Sequence, residues 1–175
     1  MEVKRLFWWF IGLIWKWILK HGTEIKKLHE LPPEHQALIM DAIKVREKAY
    51  TPYSKFKVGV ALRVEGSNIP FLGCNIEGAD YDATHAERAA IAAMISNLGG
   101  NSHPLIIVVA VVLEADGKLH APPCGGCRQR IKEFGNDATV ILGARLNPDG
   151  TVRDVECSTL GKLLPLSFGP ENLGR

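Results

Sequence analysis

Apolar positions change period several times along this chain, and each change marks an element. Residues 33–48 carry proline near the start and apolar residues at helical spacing, which predicts a helix. Residues 56–65 and 69–76 flank Glu65-Gly66-Ser67-Asn68, which predicts two strands around a turn. Residues 85–98 are rich in Ala, Ile, Met and Leu and suit a buried helix, with Thr84 as its N-cap. Residues 105–113 are a β-branched apolar run, the pattern of a central strand covered on both faces. A second helix over 124–135 opens after Pro122-Pro123, and a strand over 138–143 follows it. A turn at Asn147-Pro148-Asp149-Gly150 and a short helix near 158–163 complete the pattern. Strands alternating with helices predict an α/β fold, a three-layer α/β/α sandwich around a mixed sheet of about five strands.

The first residues follow a different pattern. Residues 6–19 are almost wholly apolar and hold all four tryptophans. The stretch is shorter than the ~20 residues that cross a bilayer, and Lys16 interrupts it. On a helix, Arg5, Gly12, Lys16 and Lys20 share one narrow stripe, which predicts an interfacial segment over residues 5–20 lying on a membrane surface. Six Lys/Arg against two Asp/Glu in residues 1–27 suit an anionic surface. Other readings stay open: packing on the rest of the chain or on a partner subunit, a signal anchor, or a true start at Met40. The chain thus divides into an extension, 1–30, and a domain, 31–175.

Composition narrows the class. At 175 residues and 46% hydrophobic content, one globular core is expected. The net charge is +2, and the chain past residue 27 sums to −2, so a polynucleotide partner is not expected. Four cysteines point to a reducing, cytoplasmic setting rather than a disulfide scaffold.

The chemistry lies in His85-Ala86-Glu87 and, 37 residues after the glutamate, Cys124-Gly125-Gly126-Cys127 behind Pro123. Imidazole nitrogen and thiolate sulfur are good zinc donors, so His85, Cys124 and Cys127 form a three-ligand set that leaves a position open for water. Zinc makes water nucleophilic near neutral pH, and Glu87 is placed to shuttle protons. Both Cys residues fall near a helix start, where the dipole favours thiolate. A structural zinc is the competing reading, with Cys74, Cys157 or His120 as a fourth ligand. The order His-x-Glu, then Pro-Cys-x-x-Cys, is the recognised signature of zinc deaminases and favours the catalytic reading.

Further segments give the chain a resemblance to the cytidine deaminase family, specifically its free-nucleoside enzymes. They are 50–59 (YTPYSKFKVG), 73–77 (GCNIE), 85–88 (HAER), 123–129 (PCGGCRQ) and 163–171 (LLPLSFGPE). The resemblance implies the same layered fold and hydrolysis of cytidine and deoxycytidine to uridine and deoxyuridine, a step of pyrimidine salvage. It implies that Asn75 and Glu77 bind the ribose hydroxyls and that Phe56 packs against the base. It implies that the Ala86 N–H contacts the base carbonyl and that Phe168 reaches a neighbouring subunit's pocket in a homo-oligomer, dimer or tetramer. Many short family members use Cys where this chain has His85. Zn²⁺ with two thiolates and a neutral imidazole sums to zero charge, so Arg88 has less anion to offset here than beside three thiolates. Two alternatives remain: a deaminase of modified cytosine nucleosides or polynucleotide cytosine, and a catalytically silent zinc-binding interaction protein.

Overall fold

The computed structural model describes residues 23–114 and 121–174. The expected interfacial segment at 5–20 lies outside them, as does His120. Among the described residues no helix is long and apolar enough to cross a membrane.

The elements run β1 (Glu24–Lys26), α1 (Pro33–Arg46), β2 (Val58–Val64), β3 (Phe71–Cys74), β4 (Ile76–Glu77), β5 (Ala83–Thr84), α2 (Ala86–Leu98), β6 (Ile106–Glu114), α3 (Gly125–Phe134), β7 (Gly135–Leu146), β8 (Val152–Thr159) and α4 (Leu160–Leu163). Six strands form the main sheet in the order β1-β8-β7-β6-β2-β3, and β4 and β5 pair separately. Only β6 and β7 run parallel among the neighbouring pairs of the main sheet, joined by the crossover that contains α3. That connection needs a helix, whereas antiparallel neighbours need only a turn.

Alternation along β2 and β6 sorts the core into two layers. Val60, Leu62, Val109 and Val111 point to one face and pack with Ala90 and Met94 of α2, Ile131 of α3 and Leu160 of α4. Ala61, Val108, Ala110 and Val112 point to the other and pack with Leu38, Ile39 and Ala42 of α1. The run at 105–113 is thus covered on both faces, and the architecture is the expected three-layer α/β/α sandwich around a mixed sheet.

The sheet has six strands rather than about five. β8 escapes a hydropathy reading because Arg153, Asp154 and Glu156 interrupt it. Its charges are neutralised across the sheet: Arg145 on β7 pairs with Asp154 at 2.5 Å and with Glu156 at 3.3 Å. β1 is three residues long and is defined by pairing with β8, Ile25 opposite Glu156, rather than by a pattern of its own. β7 extends beyond the apolar 138–143 because β6 and β8 supply backbone partners on both sides.

Two glycines let helices approach the sheet. A Cβ on Gly73 would lie 2.3 Å from the Ala90 nitrogen and 2.4 Å from the Ala86 oxygen, so α2 sits directly on β3. A Cβ on Gly59 would lie 2.1 Å from the Ala42 oxygen and 2.6 Å from the Arg46 Cβ, so α1 presses equally close on β2.

Candidate metal centre and active site

The β4–β5 ladder ends at Thr84 and delivers His85 to the start of α2. Thr84 was the expected N-cap, but it is held in β5, opposite Ile76, and His85 occupies the capping position. His85 has extended backbone angles and makes no side-chain cap bond, which leaves its ring available as a ligand. Its carbonyl accepts the first helical bond, from Ala89 N at 3.1 Å. Cys124 caps α3 in the same way, with no side-chain cap bond, and Cys127 follows in the first turn.

Several contacts fix the cysteine loop over the sheet. The Ala121 N–H donates to Glu156 Oε2 at 3.4 Å, and Gly143 lets Ala121 pass close to β7. Arg128 Nε donates to the Pro123 carbonyl at 2.7 Å, and its Nη1 to the Leu163 carbonyl at 2.8 Å. Sequence reasoning missed these supports. Glu156 carries no sequence signal, because its partner is set by strand register; Arg128 at least stands inside the cysteine motif.

The two helix starts bring the donors together. His85 Nδ1 lies 3.5 Å from Cys124 Sγ and 3.3 Å from Cys127 Sγ, and all three ligand atoms fall within 4.8 Å of one another. A tetrahedral zinc at about 2.3 Å from sulfur and about 2.05 Å from nitrogen separates an S–N ligand pair by about 3.5 Å. The donor set therefore fits zinc in both chemistry and spacing. Neither Cys74 nor Cys157 joins the group, so among the described residues the set has three protein ligands. Three ligands are the catalytic pattern rather than the structural one.

Cys127 is buried, and burial first, then the Glu87 carboxylate, pushes its thiol far above the ordinary range. A bound cation would favour the thiolate there. Glu87 is 5% exposed and lines a cavity of about 250 Å³ together with Phe56, Val58, Asn75, His85, Ala86 and Cys124. Val111, Leu113 and Pro122 close the other side. As the first residue of α2, Ala86 has a backbone N–H with no acceptor inside the helix.

Of the predicted site residues, Phe56, Asn75, His85, Ala86, Glu87 and Cys124 share this cavity, and Cys127 lies within ligand range of His85. Glu77 does not share it. Asn75 falls between β3 and β4, so the two residues do not project from one strand, and Glu77 lines a neighbouring hollow with Tyr53 and Tyr81. The Glu77 carboxylate accepts the Ser54 hydroxyl and the amides of Tyr53 and Ser54, at 3.0 and 3.1 Å, and these bonds hold it below the usual carboxylate range. Asn75 Oδ1 accepts from Val58 N, and its Nδ2 donates to the Phe56 carbonyl, both at 2.8 Å. Phe168 is 61% exposed and lies outside the cavity lining.

Arg88 stands beside the cysteine loop: a Cβ on Gly126 would meet its Nη2 at 3.7 Å. With formal charge already balanced in a His-Cys-Cys site, Arg88→Gln is expected to lower kcat/KM by less than about tenfold and to retain zinc. Complete loss of zinc from that variant would overturn the charge argument.

Comparison with known proteins agrees with this geometry. Residues 32–144 match the family described as the cytidine and deoxycytidylate deaminase zinc-binding region. A cytidine deaminase from Sporosarcina psychrophila is 41% identical over 139 residues, spanning 79% of this chain and 93% of that protein. One from Halalkalibacterium halodurans is 39% identical, spanning 80% of this chain and 98% of that protein. The crystal structure of a Burkholderia pseudomallei cytidine deaminase superposes with a TM-score of 0.64 at 38% identity, covering 77% of this chain and 98% of that one. This chain belongs to the cytidine and deoxycytidylate deaminase family.

Proposed function

We propose that the protein hydrolyses cytidine and deoxycytidine to uridine and deoxyuridine with release of ammonia, in pyrimidine salvage. The observation that carries this reading is the convergence of His85, Cys124 and Cys127 beside a buried glutamate, on the wall of a cavity that Phe56 helps to close. Zn²⁺ held by these three side chains supplies Lewis-acid activation of water at neutral pH.

The chain's own residues do the rest. Glu87 takes a proton from the attacking water and places it on ring nitrogen N3, so that oxygen adds at C4. It then moves the second proton to the amino group, the C4–N bond breaks, and ammonia leaves. Burial suits Glu87 to this work, because a carboxylate 5% exposed on a largely apolar wall exchanges protons with bound substrate more readily than with bulk solvent. The Ala86 N–H, at a helix start, faces the partial negative charge of the base carbonyl. Phe56 packs on the ring, while Val58, Val111 and Leu113 exclude water.

Asn75 and Glu77 meet the ribose through valences their loop bonds leave over: the amide keeps one N–H and one lone pair, and the carboxylate keeps acceptor sites. On this reading they hold the wall and the sugar together. The exposed Phe168, next to a fully exposed Leu166, supports a homo-oligomer in which Phe168 enters a neighbouring copy's pocket.

Ultraviolet monitoring of cytidine and deoxycytidine with purified protein tests the reaction. Turnover of either nucleoside that stops on zinc chelation and returns on zinc addition is the expected result. Absence of turnover of both, or turnover indifferent to removal of the metal, would sink it.

A further inference from the structure

The backbone that presents Phe56 is an irregular loop held from three sides. Lys55 is forced into the left-handed region, with φ 60°. Ser54 Oγ accepts from Phe56 N at 3.0 Å, Glu77 anchors residues 53 and 54, and Asn75 brackets residues 56 and 58. Lys57 Nζ pairs with Glu47 at 3.0 Å, and a further support comes from Arg46, the last residue of α1. It lies outside every motif considered above, and its side chain is only 10% exposed. Arg46 Nε donates to the Lys57 carbonyl at 3.2 Å, Nη2 pairs with Glu114 at 3.1 Å, and Nη1 with Glu47 at 2.7 Å.

Two of these partners flank the chain where the Phe56 loop enters the sheet. Lys57 lies between Phe56 and Val58, and Glu114 ends β6 one residue past Leu113, which pairs with Val58 across the β2–β6 ladder. One rigid guanidinium ties the loop to the end of β6. It reaches them because Gly59 lets α1 press against β2 at Arg46 itself, with no room for even a methyl group between. A lysine keeps the charge but cannot present a planar fork to a carbonyl and two carboxylates at once.

We propose that Arg46 is a positioning residue for pyrimidine recognition, fixing the Phe56 loop against the end of β6. This rests on the reading that Phe56 packs against the base. A cycle of Arg46→Lys, Phe56→Ala and the double variant tests it in the full-length zinc enzyme. Arg46→Lys is expected to raise KM for cytidine by about tenfold with kcat within about twofold and zinc unchanged. In the Phe56→Ala background the same substitution is expected to add less than about twofold, because Arg46 acts through Phe56. Effects on KM that multiply independently, or a fall in kcat at constant KM, would overturn it.

Should Arg46→Lys fold poorly, Glu114→Gln weakens one arm of the bridge and is expected to raise KM by about threefold with no gain beyond that in the Phe56→Ala background. Amide hydrogen exchange provides a readout that needs no turnover. Faster exchange at Phe56 and Val58 in Arg46→Lys, with α2 unchanged, is expected, and unaltered exchange there would refute the bridge. A wild-type protein that fails to deaminate cytidine would refute the proposed function alone, since exchange still reports whether Arg46 holds the loop.

Discussion

Glu87→Gln is expected to bind zinc, fold normally and lose about 10⁴-fold or more in kcat, equivalent to about 5.5 kcal/mol of barrier. The amide is nearly isosteric with the carboxylate, so the cavity it lines keeps its shape. What disappears is the only function an amide cannot copy, the reversible uptake of a proton. One group serves both the attack and the departure of ammonia, so its loss affects every chemical step. Zinc should be retained, because Glu87 is not among the three clustered donors and its charge opposes the thiolates. Circular dichroism, zinc content and stopped-flow kinetics on one preparation make the comparison. A variant with near wild-type kcat would show that another group moves the protons.

Cys127→Ala is expected to abolish both zinc binding and activity and to lower the melting temperature. Cys127 is buried between the helix starts and lies 3.3 Å from His85 Nδ1, and among the described residues no further donor joins the cluster to replace it. Two remaining donors make a poor zinc site. Because zinc binds the folded state, its loss removes linked stability of about 4 kcal/mol if the metal was present at about 1,000 times its dissociation constant. The matching control is Cys157→Ala on β8, which stands outside the donor group and should keep metal, rate and melting temperature close to wild type. Elemental analysis and thermal melts decide the matter; full zinc occupancy in Cys127→Ala would contradict the assignment.

The candidate ligands and the acid were legible as a recognised motif, His-x-Glu then Pro-Cys-x-x-Cys, for a specific reason. His85 and Glu87 lie within three residues, and Cys124 and Cys127 within four, so each pair is positioned by one helix start. Helix starts announce themselves through proline, small polar residues and the onset of apolar periodicity. Only the approach of the two starts had to come from the fold, and the residue types implied it, because a histidine and two cysteines need a common metal. The ends of these helices were less legible: Thr84 has the chemistry of a cap, yet strand pairing with Ile76 claims it and moves the cap to His85.

The supports of the site were hidden because they act across large sequence separations. Glu156 steadies Ala121, Arg128 ties the cysteine loop to Leu163, and Arg46 joins α1 to two strands. None belongs to a periodic pattern that predicts its partner. The strand β8 was hidden for the same reason, since Arg153, Asp154 and Glu156 break its apolar pattern and the partner of the two acids, Arg145, is set by strand register. Asn75 and Glu77 illustrate the limit of local rules. Two residues apart implies one face only within a continuous strand, and the break between β3 and β4 sends Asn75 to the cavity and Glu77 to the neighbouring hollow.

By itself, then, the sequence determined the layered α/β class, the ligand types and the acid beside them, because local periodicity and donor chemistry are properties of short segments. The tertiary structure alone decided that the donors meet within 4.8 Å and that Cys127 is buried beside Glu87. It alone decided that a buried arginine ties the Phe56 loop to the end of β6. Distances between segments and the solvent each group loses are fixed only when the sheet brings those segments together.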